Sequence, residues 1–228
     1  MQCVIMQPTY MPWAGYFHLI SQADVFVFLD DVQFEKQSWQ NRNRVLLNGA
    51  AHWLTVPVRR QHLSDMVHMI DIDESRPWRR KHYELLKTGY AKHPHCADML
   101  ELATPILDPA WTSLCDLNIA LICGMAAKLG LERRFVRASS LGIQGQRSFR
   151  LLEICRHFGC DQYLSPRGAS TYLMEDGAFS GGSVALAFQD FDAKPYPQRG
   201  SSAFVSHLSI LDVVANLGLQ GARHYVLG

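Results

Sequence analysis

The amino-acid sequence predicts an α/β fold: a mainly parallel sheet flanked by helices, with an inserted β-hairpin and a helical middle region. Three observations carry this. Val4 to Met6 and Val25 to Leu29 are short, unbroken apolar runs of the kind found in strands buried on both faces, and Trp13 to Gln22 between them reads as a short helix. Strand, helix and strand within about thirty residues make a βαβ unit, whose right-handed crossover requires parallel strands. Further along, Phe135 to Arg137, Tyr163-Leu164 and Val184 to Phe188 read as later strands separated by helical segments.

The remaining elements follow in order. Arg44 to Leu47 and His52 to Val56 flank Asn48-Gly49, a dipeptide suited to a type I′ turn because both central residues need φ > 0. Met66 to Ile72 reads as one further strand, and Pro77 to Tyr90 as a helix that starts after Ser75. Asp108-Pro109 has the pattern of an N-cap followed by proline at the first helical position. The helix it would open carries Leu114, Leu117, Leu121, Met125 and Leu129 at helical spacing and stops at Gly130. Leu151, Leu152, Cys155 and Phe158 mark another helix, ending at Gly159, and a final helix opens at Ser209. Ser209 to Asp212 fits a Ser-x-x-Asp helix start, with Leu208 and Val213 placed as a hydrophobic staple.

Composition narrows the function. At 228 residues one domain over residues 1–228 is expected, able to bury a core without disulfides or metal. A formal charge of +1 argues against a dedicated nucleic-acid binder, which needs a basic excess. No apolar run approaches the ~20 residues needed to span a bilayer, and Met1 to Pro8 lacks the basic start of a signal peptide. Cys3, Cys96, Cys115, Cys123, Cys155 and Cys160 show no Cys-x-x-Cys pairing, so free thiols in a cytoplasmic protein are expected. The ten histidines include no zinc-type spacing, and no Gly-x-Gly-x-x-Gly, P-loop or Gly-x-Ser-x-Gly pattern is present. Neither a metal nor a cofactor is expected.

Two loops concentrate the chemistry. Gln7 to Tyr16, after the first strand, holds two prolines, a glycine and three aromatics, where an open α/β sheet places its ligands. Asp30-Asp31-Val32-Gln33 leaves the second strand, and Trp39-Gln40-Asn41-Arg42-Asn43 leads into the hairpin. Paired carboxylates suit general-base work, and Asn41, Arg42 and Asn43 could donate to a carboxylate, phosphate or oxyanion. The plainer account is that one Asp caps a turn and Arg42 pairs with it. His82 shares a helical face with Trp78 and Leu85, where a histidine is more often a packed, hydrogen-bonded core residue than a catalyst.

Several unbroken segments resemble the WbqC-like family: Met6 to Trp13 with Gly15-Tyr16-Phe17, Phe28 to Phe34, Trp39 to Arg44, and Trp53 to Val58. The match continues through Trp78, His82 and Tyr90, Tyr163 to Pro166 with Gly168-Ala169 and Tyr172-Leu173, and Phe188-Gln189. It ends with Tyr196 to Gln198 and Leu208 to Asp212 with Asn216 and Gly218. The resemblance implies a role in bacterial O-antigen or related secondary-metabolite biosynthesis and transfer of glycyl or other acyl groups. An acyl or peptidyl carrier protein would then present the donor thioester, and a small-molecule amine or hydroxyl would accept it. A second, shorter likeness is to the adenylate-transferring Rossmann-like group, which Pro8 with Gly15 to Ile20 and Ala23-Asp24 resembles. Tyr16 stands where that group has Gly-His, so this likeness implies a Rossmann-like sheet more than ATP chemistry.

Three functions are therefore weighed: an acyl-transferring condensing enzyme, an adenylate-forming or nucleotidyl-transferring enzyme, and a non-catalytic carrier-protein- or sugar-binding module. For the first, Asp30, Asp31 or His82 is expected as base, with Asn41, Arg42, Asn43 and Gln7 as donors. Pro8, Tyr10, Trp13, Gln33, Trp39, Ser165 and Gln198 are expected to join Gln7 in contacting substrate. His82 is further expected to share a pocket with Asp30, Asp31 or Asn41 and to gain a carboxylate partner that raises its pKa.

Overall fold

A computed structural model describes residues 1–60 and 62–228. The chain runs β1 (Gln2–Met6), α1 (Ala14–Gln22), β2 (Val25–Phe28), a hairpin of β3 (Arg42–Leu47) and β4 (Ala50–Thr55), and short strands β5 (Val58–Arg59) and β6 (Asp71–Ile72). Helices α2 (Trp78–Gly89), α3 (Cys96–Ala103) and α4 (Leu114–Lys128) fill the middle. Then come β7 (Arg134–Arg137), α5 (Arg147–His157), β8 (Gln162–Ser165), α6 (Ser170–Asp176), β9 (Ala185–Phe188) and α7 (Ile210–Leu227).

Five strands form one parallel sheet in the order β7-β2-β1-β8-β9. Successive side chains of a strand point to opposite faces, and both faces here are apolar. Val4, Phe26, Phe28 and Leu164 pack into a core shared with α1, α2, α3, α4 and α7. Cys3, Ile5, Val25, Val27 and Tyr163 pack on the other side against α5 and α6. After β1 the chain crosses to the first face, and after β8 to the second. β1 and β8 are neighbours, so their carboxyl ends flank the crevice where a doubly wound sheet reverses its strand order. The expected Rossmann-like α/β class is correct.

The hairpin forms as the sequence predicts. Asn48 and Gly49 take φ of 52° and 78°, and Leu47 pairs with Ala50 across the turn. A side chain at Gly49 would also collide with the Gly200 carbonyl, 2.5 Å from its Cβ position. The helix stops at Gly130 and Gly159 are likewise as expected, each glycine having φ 66°.

Three local expectations are corrected. Met66 to Ile72 is not one strand: Met66 makes an isolated bridge to Gln33, Val67–Met69 is a 3-10 turn, and Asp71–Ile72 is a separate short strand. Backbone amides of Val67 and His68 donate instead to the carbonyls of Val32 and Asp30, which bends the segment over the second loop. Asp108-Pro109 opens no helix; α4 begins at Leu114, capped by Ser113, whose Oγ accepts from the Asp116 amide at 3.3 Å. Buried Arg79 donates to the carbonyls of Ile106, Asp108 and Trp111 at 2.8, 2.9 and 2.6 Å, holding the connection open. Asp212 does not complete a capping box, although Ser209 does cap α7 by accepting from the Leu211 amide. Its carboxylate instead meets Tyr90 and Tyr196, both hydroxyls donating, at 2.7 and 2.6 Å.

Candidate functional site

A cavity of about 470 Å³ opens at the crevice between the carboxyl ends of β1 and β8. The first loop contributes Gln7 and Thr9, the second Glu35, Trp39 and Gln40, and the β8 side Tyr163 and Tyr172. Its aromatic walls suit the apolar part of a small ligand, and its polar groups are few and specific in placement.

The polarity of those groups can be worked out from one fixed donor. The Glu35 backbone N–H can only donate, and it does so to Gln40 Oε1 at 2.9 Å. The Gln40 amide must therefore turn its Nε2 toward Gln7, donating to Gln7 Oε1 at 2.8 Å. With its oxygen engaged, Gln7 presents its own NH₂ to the cleft, free of any partner among the described residues. Glu35 is the one carboxylate of the lining, and its side chain has no ion pair or hydrogen bond among the described residues.

The loops behind this relay are joined through buried amides. Fully buried Asn118 of α4 donates to the carbonyls of Gln40 (2.7 Å) and Pro8 (3.3 Å). The Tyr10 amide donates to the Trp39 carbonyl at 3.0 Å, and Asn43 Nδ2 donates to the Tyr10 and Met11 carbonyls at 3.1 and 2.8 Å.

Of the residues expected at the site, Gln7 and Trp39 line the cavity. Asp30 does not: it is buried and accepts from both the backbone N–H (2.9 Å) and the hydroxyl (2.7 Å) of Ser139, tying β2 to the turn after β7. Asp31 receives a two-pronged contact from Arg150 of α5, at 2.8 and 2.5 Å, so it is the partner of that arginine and not of Arg42. Asn41 donates to the Val56 carbonyl at 3.0 Å, and Asn43 is spent on the first loop. Arg42 lies with its guanidinium 4.1 Å from the centre of the Trp53 ring.

His82 is removed from both carboxylates. Its Nδ1 meets the Tyr10 hydroxyl at 3.0 Å inside the core, and its ring also donates a hydrogen bond to the Thr55 backbone carbonyl. Burial pushes its pKa down to about 4, with Lys81 adding to the effect, so the expected carboxylate partner and raised pKa are both overturned. Leu85, expected to share a buried face of α2 with Trp78 and His82, is exposed, whereas Leu86 is buried. Pro8 and Tyr10 are buried behind the cleft, and Trp13 packs against His207 and Phe191. Gln33 is exposed and donates to the Leu63 carbonyl, while Ser165 is buried beside the Tyr163 hydroxyl under the cavity wall. Gln198 belongs to the Asp212 cluster, donating to Tyr196 Oη, Asp212 Oδ2 and the Val205 carbonyl. Burial raises the pKa of Asp212 there.

Sequence reasoning passed over Glu35, Gln40, Tyr163 and Tyr172. Gln40 stands inside the Trp39-to-Asn43 run, and the two tyrosines inside the later matching segments, so position was available but orientation was not. The thiols show no sign of activation: burial raises Cys115 to about 12 and Cys123 to about 11, and Cys96 and Cys160 rise for the same reason. Among the described residues no group of three or more His, Cys, Asp or Glu side chains could hold a metal, and no helix is long and apolar enough to cross a membrane.

Comparison with known proteins agrees with the resemblance. The chain is 30% identical over 220 residues to the uncharacterized protein Rv1507c of Mycobacterium tuberculosis (strain ATCC 25618 / H37Rv), covering 95% of this chain and 94% of that one. No solved structure matches. Residues 7–224, which hold both loops, the hairpin and the Asp212 cluster, match the WbqC-like protein family. The chain belongs to that family.

Proposed function

We propose that the protein is an acyl-transfer enzyme that condenses an activated acyl group, carried as a thioester, with an amine or hydroxyl in the β1–β8 cleft. The outward-facing Gln7 NH₂, its orientation fixed through Gln40 by a backbone N–H, is the observation that carries this reading. A donor held rigid before the reaction is what a developing oxyanion requires. Glu35 is the base for the nucleophile, a role moved here from Asp30, Asp31 and His82 because it alone is a carboxylate of the cavity lining. The acceptor nitrogen or oxygen bonds to the acyl carbon, and Glu35 takes its proton. The tetrahedral oxyanion collapses, the carbon–sulfur bond breaks, and the departing thiolate receives the proton.

The test is thiol release from a panel of small acyl thioesters, with and without amine and hydroxyl acceptors. Acceptor-dependent release that Glu35→Gln abolishes supports the reading. Pyrophosphate release from ATP instead would favour adenylate formation, the second reading, which the strand order of the sheet permits. We rank it lower because the start of α1, where such a sheet binds phosphate, is buried and contributes nothing to the cavity lining. Tight ligand binding with no turnover under either assay would leave a binding module.

A further inference from the structure

The outer face of the β3–β4 hairpin holds two guanidinium groups without a counter-charge. Arg42 and Arg44, two apart on β3, point to the same face, and Trp53 stands opposite Arg44 in the ladder. The Arg42 guanidinium lies 4.1 Å from the Trp53 ring centre, and that of Arg44 lies 5.8 Å from both Trp53 and Trp39. Neither arginine forms an ion pair among the described residues. Among the described residues, the Nε of each is buried with no acceptor, and the one hydrogen bond either side chain makes is a long contact from Arg44 to the Ser206 carbonyl at 3.4 Å. The two indoles are 46% and 45% exposed and 5.3 Å apart, which is unusual for rings of this size on a surface with no partner. Trp39 also lines the cleft, so the face and the cavity are continuous.

By contrast, buried Arg79 is satisfied by three carbonyls and Glu74, and half-buried Arg150 by Asp31 and the Ile143 carbonyl. We infer that Arg42, Arg44 and the Trp39–Trp53 pair form an anion subsite at the mouth of the cleft, taking the diphosphate of an organic ligand. Two planar guanidinium forks, carried by residues whose Cα atoms are about 7 Å apart along a strand, can bind several oxygens at once, which one carboxylate would not supply. The aromatic rings stack on the guanidinium groups and hold them flat without neutralising them. This subsite sits beside the proposed reaction centre but does not depend on it.

Inorganic pyrophosphate titrated into the intact protein tests the subsite, with tryptophan fluorescence as readout because Trp39 and Trp53 flank it. A saturable change is expected whose affinity falls as salt rises. Arg42→Gln/Arg44→Gln is expected to weaken binding at least tenfold; Arg44→Gln alone, which gives up little structural contact, serves should the double variant misfold. ADP, a sugar nucleotide and coenzyme A all carry a diphosphate and should each displace pyrophosphate, and the one that binds more tightly than pyrophosphate identifies the source of the anion. An unsaturable response, equal affinity in the arginine variants, or failure of all three to compete overturns the inference. Gln7→Ala should leave pyrophosphate affinity unchanged, and an absence of thioester transfer by the unaltered protein with this binding intact would reject the reaction alone.

Discussion

The loop leaving β2 and the adjoining start of the hairpin look equally polar in sequence, yet they spend that polarity in opposite ways. At Asp30 and Asp31 every carboxylate oxygen has a partner: Ser139 on one, Arg150 on the other. A few residues on, the carboxylate of Glu35 and the guanidinium groups of Arg42 and Arg44, beside the NH₂ of Gln7 from the first loop, face outward with little or nothing of the described residues to meet them. Satisfied groups hold a fold together; unsatisfied ones must be completed by something else, and it is their location that marks the working surface.

Substituting each side of this contrast should separate the two kinds of polarity. Arg150→Ala strands the half-buried Asp31 carboxylate and should cost about 3 kcal/mol of stability or more in urea unfolding. Turnover of the protein that remains folded should be close to normal; a stable variant without activity would move Asp31 back into the reaction. Gln7→Ala should do the reverse. Its stability should stay within about 0.5 kcal/mol, while acyl-transfer kcat drops about a hundredfold.

His82 sharpens the comparison from within the core. Its folded pKa of about 4 lies below the ordinary 6.5, so between these values the unfolded chain binds the proton more readily. The stabilisation is therefore complete above pH 6.5 and is lost as the pH falls toward 4, by about 3 kcal/mol. Urea midpoints across that window should decline in the wild type and decline less in His82→Gln. An equal decline would show that the neutral ring contributes nothing. The smallest effect concerns the thiols: replacing any one of the six cysteines by Ser or Ala should leave turnover within about tenfold. A single replacement that abolished transfer in a folded protein would install a covalent acyl-cysteine step.

Most of the secondary structure was legible because its signals are local. Apolar runs such as Val25 to Phe28, the Asn48-Gly49 turn and the terminating Gly130 and Gly159 each act within a few residues of themselves. Where a distant residue decides, the sequence misleads. Asp108-Pro109 is a sound helix start until Arg79 takes the Asp108 carbonyl, and Asp212 a sound capping residue until Tyr90 and Tyr196 claim its oxygens. The site failed for the same reason. Gln40 and Asn43 are near neighbours of like chemistry, but Gln40 reaches the cavity while Asn43 binds backbone carbonyls from the first loop. No local pattern distinguishes them.

The buried Asn118 has a consequence for how the cleft can adapt. By holding the carbonyls of Pro8 and Gln40 together it turns two loops into one stiff bank, further riveted by Asn43 and by the Tyr10–Trp39 backbone contact. The opposite bank, from Pro166 to Tyr172, is moored at its start by Arg167, which reaches the Gln189 carbonyl and exposed Asp190 at the surface. Give is thus distributed unequally across the opening. A bulkier guest is therefore expected to displace the second bank, while the first keeps its amide trained on the same point in space.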